Sequence, residues 1–178
     1  MLALAIGGEK VKKFTTYYNF STIDLEIVGE EDQIHSISFM NPESKKNVFD
    51  QQGKEQTTVI RKCIQQLEEY FSGTRKVFTV PYKLNGTEFQ KRVWVELEKI
   101  SYGETISYLE LAKRLGDEKV IRAAASANGK NKLGIVIPCH RVIGANGSLT
   151  GYAGGLENKK KLLELEKRNS TIQDGLFG

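Results

Sequence analysis

The sequence predicts an α+β fold in two parts, a small N-terminal sheet with one helix and a mostly helical C-terminal part. Apolar and polar residues alternate from Phe14 to Met40, which is typical of strands with one buried face. Beyond residue 57, apolar residues recur every three or four positions in several segments, as they do along amphipathic helices. We therefore expect an N-terminal domain over 1–84 and a C-terminal domain over 85–178, joined near Tyr82 to Gly86.

Composition indicates an ordinary globular protein. Hydrophobic residues make up 39% and charged residues 27% of 178, and no apolar run approaches the roughly 20 residues of a membrane helix. The opening "MLALAIGG" lacks the preceding basic residues of a signal peptide. We expect a cytoplasmic protein without membrane contact, in which Cys63 and Cys139 are both free thiols. The net charge of +4 favours a nucleic-acid partner only mildly.

The N-terminal part should begin with paired strands. The residues "GEED" predict a turn between them, and "NPESKKNVFDQQGK" predicts a polar loop after them. A further strand is expected in "KVFTVPYKLNG", ended by Pro81 and followed by an "NG" turn. The apolar residues that share one face are Ile23, Leu25 and Ile27 in one strand and Ile37 and Phe39 in the next.

One helix is predicted between the loop and that further strand. Its segment, "TTVIRKCIQQLEEYFSG", ends at Gly73, a residue typical of helix C-termini. Because Cys63 lies on the apolar stripe, we interpret it as a buried core residue rather than a reactive thiol. The stripe consists of Ile60, Cys63, Ile64, Leu67 and Phe71.

The C-terminal part should begin with a well-capped helix. In "TEFQKRVWVELEKI", Thr87 and Gln90 have the spacing of a capping box, in which each side chain binds the other residue's backbone amide. Its apolar stripe consists of Phe89, Val93, Leu97 and Ile100.

Two shorter helices follow. Ser107 and Glu110 repeat the capping-box spacing, Gly116 ends that helix, and Asp117 caps "EKVIRAAASANG". A pair of helices joined by a tight turn is the helix-turn-helix pattern of many DNA-binding proteins. It is also a common packing unit, so both readings stay open.

The second helix of this pair carries almost no side chains that could read bases. A smooth helix with Arg122, preceded one turn earlier by Lys119, suits close approach to a minor groove and insertion of one side chain into the base stack. The alternative is that small residues let another helix pack closely. The small residues are Ala123, Ala124, Ala125 and Ala127.

The second cysteine lies in "GIVIPCHRVIG", beside one of only two histidines. Gly134 to Ile137 predicts a buried strand that Pro138 ends, which places Cys139 at the strand's end. A thiol needs a base to become a nucleophile at neutral pH, and His140 is the candidate. Because neighbouring side chains of an extended chain point in opposite directions, contact requires a turn or a bridging water, and we favour the water.

The last predicted helix supplies a carboxylate for that histidine. In "LENKKKLLELEKR", Glu166 falls at the centre of the apolar arc, whereas Glu157 and Glu164 fall on the polar side. A buried carboxylate must be paired, so Cys139, His140 and Glu166 are a candidate triad. Alternatively, Cys139 is inert core and Glu166 pairs with Arg141 or Lys159 at the surface. The arc consists of Leu156, Leu162, Leu163 and Leu165.

Five segments together resemble one family. "FQKRVWVEL", "YGETISYLELAKRLG", "RAAASANGKN", "IPCHRVIG" and "GYAGGLENKKKLLELE", from about Thr87 to Glu166, are similar to the O6-alkylguanine-DNA alkyltransferases, or methylated-DNA–protein-cysteine S-methyltransferases. The resemblance implies an RNase H-like N-terminal domain, binding of duplex DNA through its minor groove, and action as a monomer. It also implies DNA repair by single-turnover transfer of an alkyl group from O6-alkylguanine, with O4-alkylthymine as a second candidate substrate.

The resemblance also implies roles for individual residues. Cys139 attacks the alkyl carbon, His140 and a water take its proton, and Glu166 supports His140. Tyr108 gives a proton to the leaving base, and Arg122 fills the space of the flipped nucleotide from a DNA-facing helix that includes Ala123 and Ala125. The remaining implied residues are Asn131 beside the thiol, Tyr152 as a wall of the base pocket, and the backbones of Val142 and Ala153 as its hydrogen-bonding groups.

The sequence departs from the family pattern at three places. Lys132 replaces the proline of the usual "NP", Ala125 replaces the glycine of the usual "RAVG", and Ala153 stands where serine is common. We expect no cofactor, and no metal, because His35 and Cys63 alone cannot build a closed zinc site. Two other functions stay open, a hydrolase that regenerates its thiol and a lesion-binding protein without catalysis.

Overall fold

The computed structural model of the chain describes residues 11–20, 22–40 and 56–174, with the side chains of 56–170 in the last range. The predicted polar loop at 41–54 lies outside the described residues. Strands β1 (Phe14–Phe20), β2 (Ile23–Gly29) and β3 (Ile34–Phe39) form an antiparallel sheet in that order. Thr16 is paired with Ile27, and Ile27 with Ile37. Ile23, Leu25, Ile27 and Ile37 are buried as predicted, whereas Phe39 is half-buried and the intervening Asp24 is buried as well.

Helix α1 (Thr58–Phe71) packs against this sheet as the apolar spacing predicts. Thr57 caps it by accepting a hydrogen bond from the amide of Ile60, and Gly73 follows its end with a positive φ of 84°. Cys63 is fully buried, and burial raises the pKa of its thiol to about 12. It is therefore a core residue, as the sequence indicated.

No strand follows α1 within 76–86, so that prediction was wrong. Tyr82 makes a single bridge to Ile34, but the amides of Thr79 and Val80 donate to the side chain of Gln66 on α1 instead of to a neighbouring strand. The side chain of Gln66 thus accepts the hydrogen bonds that a neighbouring β-strand would otherwise have accepted from these amides.

The C-terminal part contains helices α2 (Glu88–Glu98), α3 (Tyr108–Arg114), α4 (Ile121–Gly129) and α5 (Leu156–Asp174). The capping box of Thr87 and Gln90 is present in full. Ser107 caps α3 by accepting from the amide of Glu110, and Gly116 follows it with φ 91°. Asp117 caps a short 3-10 turn, Glu118–Val120, that leads into α4. The helix pair α3 and α4 therefore forms as predicted.

Residues 134–137 are buried but do not form the predicted strand. The chain turns tightly there, because the amide of Val136 donates to Gly134 and that of Ile137 to Leu133, and Ile135 has a φ of 71°. Leu133 makes an isolated bridge to Ile37 of the sheet, through the carbonyl of Lys132 and the amide of Gly134. An apolar run of this length does not distinguish a strand from a buried irregular segment, because both bury every side chain.

Cys139 consequently lies on a 3-10 turn, Cys139–Arg141, rather than at a strand's end. The turn leads into β5 (Val142–Ile143), which pairs in parallel with β4 (Ile106–Ser107) just before α3. This pairing brings the start of α3 beside the Cys139 turn.

On α5 the buried face differs slightly from the predicted arc. Leu162 and Glu166 are fully buried, but Leu156, the first residue of the helix, is 48% exposed, and Lys159 is fully buried instead. Apolar residues from both parts of the chain form one contiguous core. No helix within the described ranges is both long and apolar enough to cross a membrane.

Candidate active site around Cys139

The thiol of Cys139 is nearly buried and held by an asparagine. Its side chain is 4% exposed, and Sγ accepts a hydrogen bond from Nδ2 of Asn131 at 3.1 Å. The same amide donates to the carbonyl of Ile137, and its oxygen accepts from the amide of Leu133, so Asn131 ties the thiol to the preceding turn. Burial raises the pKa of Cys139, although Asn131 and the charge of Lys159 oppose this, and the resting thiol is protonated.

His140 is fully buried and binds through one ring nitrogen. Its Nε2 lies 2.8 Å from Oε1 of Glu166, whereas Nδ1 has no hydrogen-bond partner among the described residues. Burial lowers the pKa of His140 more than Glu166 raises it, so the ring is neutral. An ionised carboxylate can only accept, so Nε2 carries the proton and Nδ1 is free to take one.

Glu166 is the most heavily bound side chain of the site. Burial alone would raise its pKa, but the hydrogen bonds from His140 and Arg141 and the charge of Arg141 lower the pKa well below its ordinary value. It is fully buried and ionised. Its donors are Nε2 of His140, the hydroxyl of Tyr70, Nε and Nη2 of Arg141, and the amide of Gly103.

The sequence offered His140, or else Arg141 or Lys159 at the surface, as the partner of Glu166, and the structure matches neither alternative alone. Arg141 does bind Glu166, at 2.9 Å through both Nε and Nη2, but inside the protein and together with His140. Lys159 does not bind it. The buried amine of Lys159 donates to the carbonyls of Val142 and Thr150, at 2.7 and 2.9 Å.

Sequence reasoning missed the hydrogen bonds of Tyr70 and Gly103 to Glu166 and the burial of Lys159, and two of these three had a signal. Tyr70 lies three residues after Leu67 on the apolar stripe of α1, and a buried tyrosine hydroxyl needs a partner. Lys159 lies three residues before Leu162 and seven before Glu166, on the buried face of α5. The amide of Gly103 carried no sequence signal.

Two tyrosines lie close to the thiol. Tyr108, the first residue of α3, donates to the carbonyl of Thr150 at 3.4 Å. The hydroxyl of Tyr152 is buried without a hydrogen-bond partner among the described residues, and its ring packs edge-on against Phe39. Burial raises the pKa of both hydroxyls, and the nearby Cys139 raises it further, so both remain protonated donors.

Helix α4 uses its small residues on two faces. Ala124 and Ala127 are buried, and the carbonyl of Ala127 accepts from the indole of Trp94 on α2, so these two serve close packing. Arg122 and Ala123 are exposed, and Ala125 is half-buried. The exposed face therefore carries small side chains apart from Arg122.

The two residues whose backbones were expected to bind the base differ in their burial. Val142 is buried on β5, where its amide donates to Cys139 and its carbonyl accepts from Lys159 with one lone pair still available. Ala153 lies in the exposed turn before α5. Within the described ranges, no three His, Cys, Asp or Glu side chains cluster as metal ligands, and His35 pairs with Glu30 at 2.6 Å.

Two family profiles match almost the whole described chain. One, described as "6-O-methylguanine DNA methyltransferase, DNA binding domain", matches residues 88–168. The other, described as "6-O-methylguanine DNA methyltransferase, ribonuclease-like domain", matches residues 13–84.

Individual relatives agree with these profiles. A methylated-DNA–protein-cysteine methyltransferase of Methanosarcina acetivorans is 47% identical over 140 residues, covering 79% of this chain and 89% of its own. The constitutive enzyme of that name from Bacillus subtilis is 45% identical over 149 residues, covering 81% and 89%. The crystal structure of Mycobacterium tuberculosis OGT in complex with DNA superposes with a TM-score of 0.76 at 37% identity, covering 87% of this chain and 93% of that one.

Proposed function

Because the chain belongs to the 6-O-methylguanine DNA methyltransferase family, we propose that it repairs DNA by moving an alkyl group from O6 of guanine to Sγ of Cys139. The observation that carries this is the thiol itself, nearly buried beside a neutral histidine whose Nε2 is fixed by an ionised carboxylate. A thiol in this setting is inert toward bulk solvent and is activated only when a substrate fills the site.

The residues around Cys139 can carry every proton and bond change of the alkyl transfer. The Sγ–H proton passes through a water to the free Nδ1 of His140, and Glu166 stabilises the resulting imidazolium. Sγ then forms a bond to the alkyl carbon as the carbon–O6 bond breaks, and the guanine anion takes a proton from the hydroxyl of Tyr108. The imidazolium of His140 gives its proton back through water, so Tyr108 and His140 both end neutral. The thioether product is a poor leaving group, so each protein molecule acts once.

The lesion must leave the base stack to reach Cys139. We assign minor-groove binding to the exposed face of α4, with Arg122 entering the stack where the lesion was. Tyr152 forms a wall of the base pocket, and the carbonyl of Val142 and the amide of Ala153 bind the base edge. The DNA complex of the Mycobacterium tuberculosis relative supports DNA as the partner.

Intact-mass spectrometry tests the activity. After incubation with duplex DNA that contains O6-methylguanine, the protein should gain one methyl group, located on the Cys139 peptide. Cys139→Ser should gain none, whereas Cys63→Ser, which changes the buried second thiol, should gain one as before. A methyl group on any other residue, or loss of the lesion without protein methylation, would contradict the proposal.

Arg122→Ala should slow transfer from duplex DNA by about ten- to a hundred-fold, because the gap left by the flipped base is no longer filled. Transfer from a single-stranded oligonucleotide should change much less, since no stack has to be repaired. Arg61→Ala removes the same charge from an exposed position on α1 and serves as the control, measured in the same single-turnover assay. An equal loss of transfer rate in both variants would mean that Arg122 acts only through the net charge of the protein, which would contradict its insertion into the base stack.

A further inference from the structure

Tyr70 connects the N-terminal part of the chain to the catalytic carboxylate. It lies on α1, within the ribonuclease-like segment, and its side chain is fully buried. Its hydroxyl donates to Oε1 of Glu166 at 2.7 Å, across 96 residues of sequence. Burial and the charge of Glu166 raise the pKa of this hydroxyl well above its ordinary value, so it always donates.

The oxygen that Tyr70 binds is the same one that binds His140. Oε1 accepts from Nε2 of His140 at 2.8 Å and from Nη2 of Arg141 at 2.9 Å, while Oε2 accepts from Nε of Arg141 and the amide of Gly103. Each further donor to Oε1 stabilises its negative charge and weakens its pull on the imidazole proton.

The position of the hydroxyl is fixed by packing. The Tyr70 ring contacts those of Phe71, Phe78 and Tyr102 edge-on or tilted, with centroids 5.3, 5.6 and 5.8 Å away. A ring held on several sides keeps one rotamer, and its hydroxyl therefore restricts the rotamer of Glu166.

We propose that Tyr70 is a positioning residue for alkyl transfer, which holds Oε1 of Glu166 toward His140 and keeps the imidazole neutral before the reaction. The inference rests on the proposed function, and it assigns to the N-terminal part a direct share in the active site. Among the described residues, the other charged or titratable groups around the His140–Glu166 pair are Arg141 on the turn, Tyr102 before β4, Tyr152 before α5 and Lys159 on α5, and Cys139 precedes His140 in the chain.

Tyr70→Phe tests this, because it removes the hydroxyl and keeps the ring. Without that donor, Oε1 attracts a proton on His140 more strongly, so the midpoint of the His140 titration should rise by about one pH unit. The titration is followed by NMR of the imidazole, and His35→Gln assigns the signals, since the chain has only two histidines. The acid limb of the rate of Cys139 methylation should move upward by the same amount.

Tyr102→Phe is the matched control. Its hydroxyl accepts from Asn169 rather than donating to Glu166, and its ring also touches Tyr70, so it should leave the His140 midpoint unchanged. An unchanged midpoint in Tyr70→Phe, with or without a lower melting temperature, would overturn the proposal, and so would an equal shift in Tyr102→Phe. The NMR titration needs no DNA, so a protein that fails to accept methyl groups would refute the proposed function without deciding this one.

Discussion

Glu166→Gln lowers the free energy of unfolding at neutral pH by about 3 to 5 kcal/mol, because Arg141 is then buried without a counter-charge. The carboxylate is fully buried and binds Arg141 through both of its oxygens, so no solvent replaces the lost charge. The measurement is the urea concentration at the midpoint of unfolding. The slope of the unfolding free energy against urea concentration must be the same in the variant and the wild-type protein.

Glu164→Gln provides the matched control on the same helix. Glu164 is exposed and faces Lys160 at 3.9 Å, so its replacement should cost less than about 0.5 kcal/mol. Equal costs for the two variants would mean that Glu166 is not a buried counter-ion.

The stability cost of Glu166→Gln should also depend on pH. Because the folded-state pKa of Glu166 is lowered, its contribution is fully present above the ordinary value of 4.5 and is lost as the pH falls toward the folded-state pKa. The difference in stability between the wild-type protein and Glu166→Gln should therefore shrink below pH 4.5.

His140→Gln slows methyl transfer at neutral pH by about a hundred- to ten-thousand-fold, the usual contribution of a general base. The buried thiol then has to ionise alone, and burial has raised its pKa. The rate of the variant should consequently rise about ten-fold per pH unit between about pH 7 and 9. The wild-type rate should be flat there, because the lowered pKa of His140 leaves the base already unprotonated.

His35→Gln controls for the loss of a histidine as such, since His35 pairs with Glu30 on the N-terminal sheet. Single-turnover rates over a pH series provide the comparison. A wild-type rate that climbs as steeply as that of His140→Gln would indicate a thiol that ionises without its neighbour.

The parts of the fold that depend on neighbouring residues were predicted from the sequence. The caps at Thr87 and Ser107 and the stop at Gly116 involve contacts within one helical turn, so their residue types identify them. The burial of Glu166 followed from the same periodicity, because its position on α5 is fixed by the helix alone.

Features that depend on distant residues were missed or misjudged. The segment at 76–81 is not a strand because Gln66 supplies its hydrogen bonds, and the turn before Cys139 places His140 by a local reversal that an apolar run does not reveal. Two donors to Glu166, the amide of Gly103 and the hydroxyl of Tyr70, come from 63 and 96 residues away and were not predicted. The contact with His140, 26 residues away, was predicted because a buried carboxylate needs a partner.

Consumption of Cys139 by the lesion is tested by a titration of limited protein against excess O6-methylguanine duplex. Repair should stop when the number of lesions removed equals the number of protein molecules, with every Cys139 methylated. Repair that continues beyond one lesion per molecule, with Cys139 recovered as the free thiol, would contradict it.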